Sequence, residues 1–295
     1  MNNRQWFLVF LLGAVWGSSF LFVEILLSYL SPITIVFLRV SIASLFLIFF
    51  IIIKHEKFKL SFIIIFNLFV MGLLNNVIPF SLITIGQQTT TGGLASILNA
   101  NTSIITIIIA SVFIPSEKLT LNRVGGVIIG LVGVIIAIGY QNIFNLFENN
   151  MGKYLILIAT VSYAFASVWA KLRLKSIPPL ISATGMLTMS SIMLSPYVLI
   201  VHSNELLSIN FSIFIYAFLF AIICSVVAYF LYFKILESTG AGNLLICTII
   251  IPPFAILLNA IVLQQIITFA EFIGLIIIIF GLIILDGRLI SKKTS

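Results

Sequence analysis

The sequence predicts an all-α integral membrane protein with ten transmembrane helices, arranged as two inverted five-helix repeats. Three observations predict this fold: the composition, the length of the apolar runs and an internal repeat. Of the 295 residues, 61% are hydrophobic and 8% are charged, and the mean hydropathy is +1.28. A soluble domain is charged at about 25% of its positions, because it must cover its surface with polar groups. This chain therefore requires hydrocarbon as its solvent.

The apolar runs have the length of membrane spans, since a helix needs about 20 apolar residues to cross the hydrocarbon. The first run is too long for the core of a signal peptide and lacks a cleavage pattern, so we interpret it as a span. Ten spans fit the sequence: 5–27, 33–53, 61–83, 92–114, 123–140, 153–171, 179–200, 211–233, 241–263 and 268–287.

The basic residues predict the orientation. With ten spans, the N-terminus, the even-numbered loops and the C-terminus share one side of the membrane. Cytoplasmic loops are enriched in Lys and Arg, so we expect a multi-pass protein of the plasma or inner membrane with both termini cytoplasmic. That side carries 13 of the 15 basic residues: Arg4, Lys54, Lys57, Lys59, Lys118, Arg123, Lys171, Arg173, Lys175, Lys234, Arg288, Lys292 and Lys293.

An internal repeat relates the two halves of the chain. Residues 80–92 recur as residues 230–242 at an offset of 150, and residues 119–126 match residues 267–274 at an offset of 148. Helices three to five therefore recur as helices eight to ten. Because five spans is an odd number, the second copy must enter the membrane upside down. The predicted repeats are residues 1–145 and 146–295.

Several motifs resemble those of a known family. They are Trp16-Gly17-Ser18-Ser19-Phe20 in helix one, Pro32 and Phe37-Leu38-Arg39 in helix two, and Gly125-Gly126 after Glu117. With them the whole chain resembles the ten-helix EamA-type permeases of the drug/metabolite transporter superfamily. The resemblance implies a cavity lined by helices one, three, four, six, eight and nine, with helices five and ten at the periphery. In one departure, Gln264 and Gln265 stand where such permeases often carry an acidic residue matching Glu117.

Two ionisable residues, Glu24 and Arg39, lie at similar depth in helices one and two. An ionisable side chain at the bilayer centre costs about 2.5–3.5 kcal/mol, so each requires a reason. One interpretation is an ion pair between them that locks the first hairpin. The other is functional: Arg39 binds a substrate carboxylate, or Glu24 carries a proton.

Neutral polar and aromatic side chains within the spans complete the candidate binding site. The polar groups either line a cavity or bond across helices, which is worth about 0.6 kcal/mol apiece. The aromatic groups either stack on a ligand or pack against neighbouring helices. The substrate-binding candidates are Trp16, Ser19, Arg39, Asn75, Asn76, Asn99, Asn101, Thr102, Tyr163, Trp169, Ser225 and Tyr229.

Prolines and glycines predict where the helices bend and pack. Pro79 in helix three and Pro252 and Pro253 in helix nine interrupt their helices, which makes them the hinge candidates. Gly126, Gly130 and Gly133 form a stripe of small residues on helix five. Such a stripe permits close helix packing within the chain or, alternatively, a homodimer contact.

The motifs of other functional classes are missing from the sequence. It has no His-Glu-x-x-His, Gly-x-Ser-x-Gly or phosphate-loop motif, and both cysteines lie within apolar runs. We therefore expect no enzyme activity, cofactor or metal. The net charge of +7 resides in the loops, where it indicates topology rather than nucleic-acid binding.

We expect a secondary transporter that exports small metabolites such as amino acids by alternating access, with either proton coupling or uniport. A nucleotide-sugar or drug/cation transporter of the same superfamily and a non-transport membrane protein are the alternatives. A highly phosphorylated substrate would require several Arg or Lys partners, whereas Arg39 is the one basic residue deep inside a predicted span.

Overall fold

Hydrocarbon offers no water to a free backbone N–H or C=O group, so a chain of this composition must satisfy its backbone within helices. A computed structural model describes residues 2–55, 61–115, 117, 120–139, 151–239 and 241–286, and these residues form helices and no strand. The helices are α1 (Asn3–Leu27), α2 (Pro32–Ile53), α3 (Phe62–Gly72), α4 (Ile78–Gly86), α5 (Gly92–Asn99), α6 (Thr102–Phe113), α7 (Leu121–Ile138), α8 (Met151–Arg173), α9 (Pro179–Val201), α10 (Ser203–Leu207), α11 (Phe211–Ala221), α12 (Ala228–Thr239), α13 (Ala241–Leu263) and α14 (Phe269–Asp286).

Eight helical stretches are long and apolar enough to cross a membrane, and they match the first eight predicted spans to within about three residues at each end. Two shorter apolar helices, Cys247–Leu263 and Phe269–Ile284, lie within the predicted ninth and tenth spans. The all-helical membrane fold is confirmed, while the count of ten spans stays a prediction. The eight stretches are Asn3–Leu27, Pro32–Ile53, Phe62–Gly86, Gly92–Phe113, Leu121–Ile138, Met151–Arg173, Pro179–Val201 and Phe211–Ile235.

Helix starts in the two halves use the same chemistry. Pro32 and Pro179 occupy the first turns of α2 and α9, where a missing N–H costs nothing. Thr120 accepts a hydrogen bond from the Arg123 amide at the start of α7, and Thr268 accepts one from the Glu271 amide at the start of α14. The two threonines that the sequence repeat aligns are therefore both helix caps.

Two spans contain a π-helical turn. The first π turn, Leu73–Val77, separates α3 from α4, and the second π turn, Ile222–Val227, separates α11 from α12. Pro79 lies directly after the first π turn, and its ring clashes with the carbonyl of Asn75 four residues earlier, which favours a wider turn there. Pro79 thus lies beside a helical irregularity, and its role as a hinge stays a prediction.

The other predicted helix interruption was wrong. Pro252 and Pro253 lie inside α13, which continues through both prolines. The break occurs instead in span four, where α5 ends at Asn99 and α6 begins at Thr102. Asn residues compete with the helical backbone for hydrogen bonds, so the sequence from Asn99 to Thr102 is a poor helix interior.

The glycine stripe of α7 packs against α14. A Cβ atom added at Gly133 would lie 2.8 Å from the Ile278 nitrogen and 2.9 Å from the Gly274 oxygen. On α14, Gly281 is equally close to the backbone of α7: its Cβ would lie 2.7 Å from the Gly130 nitrogen. The stripe therefore serves packing within the chain. The homodimer interpretation stays untested.

The remaining helices pack in a small number of long contacts. α1 lies against α13 and α12, α8 lies against α4 and α6, and α2 lies against α9. α3 contacts α9, and α11 contacts α2. α7 and α14 pack chiefly on each other, which agrees with the peripheral position expected for helices five and ten.

Replacing Gly133 with Ala tests the close packing of α7 and α14. The added methyl group has no room against the α14 backbone, so we expect a loss of about 1–3 kcal/mol of stability. Gly125→Ala is the matched control, since a Cβ there meets nothing within 4 Å. Thermal melting of both variants in lipid nanodiscs measures the difference. Equal melting temperatures would show that the two helices are not in close contact.

Candidate functional site

Three groups of residues inside the bundle are candidates for the functional site. We call them the Arg39 cluster (Arg39, Phe80, Phe220, Cys224 and Ser225), the span-four break (Asn99, Asn101 and Thr102) and the Glu24 clasp (Glu24, Gly92 and Gln265). The sequence predicted most of these residues, although it did not predict which of them lie together.

The Arg39 guanidinium is buried between two aromatic rings. Its central carbon lies 3.9 Å from the Phe80 ring centre and 4.6 Å from the Phe220 ring centre. Such cation–π contacts are stronger where water is excluded. Nε donates to the Ser225 hydroxyl at 3.0 Å, and Nη2 donates to the Cys224 carbonyl at 3.2 Å. Nη1 has no hydrogen-bond partner among the described residues, so part of the guanidinium edge is available to a ligand.

Two predicted aromatic residues adjoin this cluster. Tyr163 of α8 and Tyr229 of α12 are close enough to Arg39 to interact with its charge. The Tyr163 ring centre lies 6.5 Å from that of Phe80, and the Tyr229 ring stacks on Phe233 at 6.1 Å. The cluster thus brings together α2, α4, α8, α11, the second π turn and α12.

Hydroxyl and amide side chains bond the first π turn to neighbouring helices. Ser162 of α8 donates to the Leu74 carbonyl at 2.7 Å. Asn76 is buried and donates to the Ser190 hydroxyl at 3.0 Å, and Ser190 in turn lies 3.1 Å from the Gly72 carbonyl. Asn75 contacts the amide oxygen of Asn76 at 3.3 Å. Asn76 is therefore bonded within the protein, as expected for interhelical contacts.

The span-four break holds unpaired polar atoms. The side-chain oxygens of Asn99, Asn101 and Thr102 are all buried, and among the described residues they have no hydrogen-bond partner. Buried polar groups are normally bonded, so these oxygens mark a position that can bind water or a polar ligand. The hydroxyl groups of Ser19 in α1 and Ser81 in α4 are unpaired in the same way. Nearby, Ser103 donates to Thr248 of α13 at 3.1 Å, which joins span four to α13.

Glu24 and Arg39 do not form the ion pair that their similar depth suggested. Glu24 accepts hydrogen bonds from the Gly92 amide at 2.8 Å and from the Gln265 side chain, whereas Arg39 faces the second π turn. Equal depth is not enough for pairing, because the two side chains leave their helices in different directions. The proton-site interpretation of Glu24 stays untested.

A second clasp lies at the other end of span four. We call Glu117, Arg123 and Lys171 the Glu117 clasp: Glu117 bonds Lys171 at the end of α8, and Arg123 at 3.1 Å. Gly92 begins span four and Glu117 follows its end, so the two clasps lie at opposite ends of that span. The hydrogen bond from Lys171 is the largest influence on Glu117 and lowers its pKa below the usual value.

The predicted tryptophans contact residues outside the Arg39 cluster. The Trp16 ring centre lies 6.1 Å from that of Tyr232. Trp169 donates to the Asn67 carbonyl at 3.3 Å and lies under Arg173. Trp169 therefore ties α8 to α3, which is a packing role. Among the described residues, no group of His, Cys, Asp or Glu side chains could hold a metal ion.

Sequence reasoning missed several residues of these groups. Phe80, Phe220 and Cys224 are ordinary apolar residues of a membrane span, and their place around Arg39 depends on helix packing. Gln265 stood out as a departure from an acidic position, which was a usable signal. Asn259, buried inside α13 beside Gly92, is an amide within an apolar run and could have been selected on that basis.

Comparison with known proteins identifies related chains. The model of the EamA-like transporter family matches residues 4–139 and again residues 150–285. An uncharacterized transporter of Archaeoglobus fulgidus is 26% identical over 66% of this chain and 67% of its own length. The uncharacterized transporter YoaV of Bacillus subtilis is 22% identical over 91% of both chains.

Two further matches extend this picture. The uncharacterized inner membrane transporter YedA of Escherichia coli is 28% identical over 55% of this chain, and the match spans about half of that relative, 51%. A solved crystal structure superposes on 99% of this chain and 100% of its own, with a TM-score of 0.69 and 15% identity. At that identity the likeness concerns the fold alone.

A double-mutant cycle tests the separation of Glu24 from Arg39. Arg39→Met removes the side-chain donor to the Cys224 carbonyl, which costs about 1–3 kcal/mol, and Glu24→Gln changes the clasp. Because the two groups share no partner, the effects on unfolding free energy should add to within about 0.5 kcal/mol. Melting of the four proteins in one nanodisc preparation measures the cycle. A coupling energy above about 1 kcal/mol would show that Glu24 and Arg39 interact directly.

The lowered pKa of Glu117 predicts a pH dependence of stability. Its carboxylate contributes stability above the unfolded pKa, about 4.3, and that contribution disappears as pH falls through the lower folded pKa. Glu117→Gln should therefore melt below the wild type at pH 7, with the gap closing below about pH 4. The exposed Glu237→Gln serves as control. A gap that persists at pH 3 would contradict the assignment.

Proposed function

The chain belongs to the EamA-like transporter family, and we propose that it is a secondary transporter that exports small metabolites such as amino acids by alternating access. Family membership points to a multi-pass membrane transporter and not to an enzyme. The Arg39 cluster supports this proposal about substrate and mechanism. It places a buried guanidinium between the two halves of the chain, and its Nη1 group has no partner among the described residues.

Residues of both halves build the Arg39 cluster. Arg39 and Phe80 come from the first half, and Phe220, Cys224 and Ser225 come from the second. Transporters with internal repeats bind substrate at the interface of the repeats, where irregular helices expose backbone groups. The two π turns are such irregularities. A substrate bound here would contact both halves and respond to their relative movement.

The chemistry of the cluster favours a small substrate with one carboxylate. Two of the guanidinium nitrogens are engaged, and Nη1 is left to bind an anionic oxygen. The rings on both faces fix the plane of the guanidinium, which restricts approach to its edge. The unpaired oxygens of Asn99, Asn101 and Thr102 can accept hydrogen bonds from an ammonium group. Together these features support an amino acid or related metabolite.

We further propose ten spans in two inverted repeats, residues 1–145 and 146–295, with both termini cytoplasmic. The pairwise contacts support the repeat: α1 against α13 mirrors α8 against α6, α1 against α12 mirrors α8 against α4, and α3 against α9 mirrors α11 against α2. The two matches to the family model and the two π turns support the same division. Six of the basic residues behind the orientation lie outside the described residues: Lys57, Lys59, Lys118, Arg288, Lys292 and Lys293.

The two clasps supply the gates that alternating access requires. The Glu24 clasp joins α1 to α5 and to the segment after α13, and the Glu117 clasp joins the end of span four to α8. Both clasps are formed in this structure. We propose that they open in alternation, so that the Arg39 cluster is reached from one end of the bundle at a time.

Transport by purified variants tests the proposed binding path, which comprises Asn99, Thr102, Ser225 and Tyr229. Counterflow of a radiolabelled amino acid mixture in proteoliposomes should fall by about tenfold in Ser225→Ala and Tyr229→Phe, because each removes one polar contact worth about 1 kcal/mol or more. Asn99→Ala and Thr102→Ala should also reduce it. Ser195→Ala is the control, since its hydroxyl bonds only within its own helix. Normal counterflow in all four variants, each with normal melting, would place the path elsewhere.

A further inference from the structure

The Glu24 clasp contains more acceptor oxygens than donors. Glu24 accepts from the Gly92 amide and the Gln265 side chain, which uses two of about four lone-pair positions on its carboxylate. The side-chain oxygens of Gln265 and Asn259 are buried and find no hydrogen-bond partner in the part of the chain that the structure describes. Two unpaired oxygens therefore adjoin one carboxylate.

Asn259 is directed at the same point as Glu24. A Cβ added at Gly92 would lie 2.8 Å from Oε2 of Glu24, 2.9 Å from Oδ1 of Asn259 and 3.0 Å from Nδ2 of Asn259, so the carboxylate and the amide adjoin the same point. Asn259 is 1% exposed, and its amide nitrogen donates to the Ala255 carbonyl at 2.7 Å. That bond fixes which side of the amide is the oxygen.

We propose that Glu24, Asn259 and Gln265 bind a monovalent cation of the size of Na⁺. Buried charges are normally paired or bound to metal ions, and Glu24 has no cationic partner among the described residues. A hard cation prefers carboxylate and carbonyl oxygens. One carboxylate balances one positive charge, which favours a monovalent ion over a divalent one. A single proton would supply one donor and leave the second of the two amide oxygens unpaired.

The position of the site gives the ion a role. Glu24 lies in α1, Asn259 in α13, and Gln265 in the segment that precedes α14. An ion held by all three would stabilise the closed Glu24 clasp, and its release would free α1 from α13. Na⁺ would then be the coupling ion of transport. This role depends on the proposed transport function, whereas binding of the ion does not.

Thermal melting tests the binding without any flux. The purified protein is melted at pH 7.5 in NaCl or choline chloride at equal ionic strength. We expect the melting temperature to rise by roughly 2–4 °C for each tenfold increase of Na⁺ above its Kd, together with saturable binding of radiolabelled Na⁺. Equal melting in both salts would overturn the site, as would a response to pH alone, which would indicate a proton.

Matched variants locate the ion. Glu24→Gln keeps hydrogen-bonding groups in the clasp and removes the charge, so it should fold and lose the Na⁺ response. Asn259→Leu should weaken the response at least tenfold in Kd. Glu117→Gln, in the clasp at the opposite end of span four, should keep the full response. A full response in Glu24→Gln would place the ion elsewhere and overturn the proposal.

Flux measurements distinguish the proposed Na⁺ site from the proposed transport function. An inward Na⁺ gradient should drive efflux of a preloaded amino acid from wild-type proteoliposomes by exchange, and it should have no effect on efflux in Glu24→Gln. Na⁺ binding without flux of any amino acid would contradict the proposed substrate class and leave the ion site intact. Flux with no effect of Na⁺ on melting would overturn the ion site and leave the transport function intact.

Discussion

A backbone carbonyl freed inside hydrocarbon must find a donor, and this requirement governs the centre of the bundle. The two π turns depart from the regular α-helical bonding pattern, and in each one a side chain from another span donates to a backbone carbonyl. Ser162 donates to Leu74, and Arg39 donates to Cys224. An unsatisfied group there would cost several kcal/mol. These bonds therefore fix α8 against span three and α2 against span eight. They also explain why a guanidinium is retained where burial is expensive.

The same requirement shapes the two ends of span four. The Glu117 clasp pairs opposite charges and is partly exposed, so its ion pairs are worth little individually. The Glu24 clasp joins a carboxylate to an amide where the repeat would place an acid. A second carboxylate at Gln265 would repel Glu24. Glutamine at position 265 thus preserves the clasp, and within the described ranges the charge of Glu24 has no cationic side chain as a partner.

The sequence predicted the features that depend on composition and local chemistry. Apolar run length located the first eight spans, and the aligned Thr120 and Thr268 proved to be helix caps. Arg39 and Glu24 were selected because charge in hydrocarbon is costly, yet their partners depend on helix rotation, which packing decides. The second π turn contains no proline, so residue type alone did not indicate it. Gln264 adopts a left-handed backbone with φ of 54°, and this local geometry next to Gln265 could not be inferred from residue type.

Alternate opening of the two clasps is the central claim, and pulsed electron paramagnetic resonance measures it most directly. One spin-label pair, at Tyr29 and Ile266, reports the Glu24 end, and a second, at Leu121 and Leu172, reports the Glu117 end; all four residues are exposed. In lipid nanodiscs, Glu24→Ala should lengthen the first distance and leave the second short. Glu117→Ala should do the reverse. If either variant lengthens both distances together, or neither variant changes any distance, the two ends are not coupled and alternating access through these clasps is wrong.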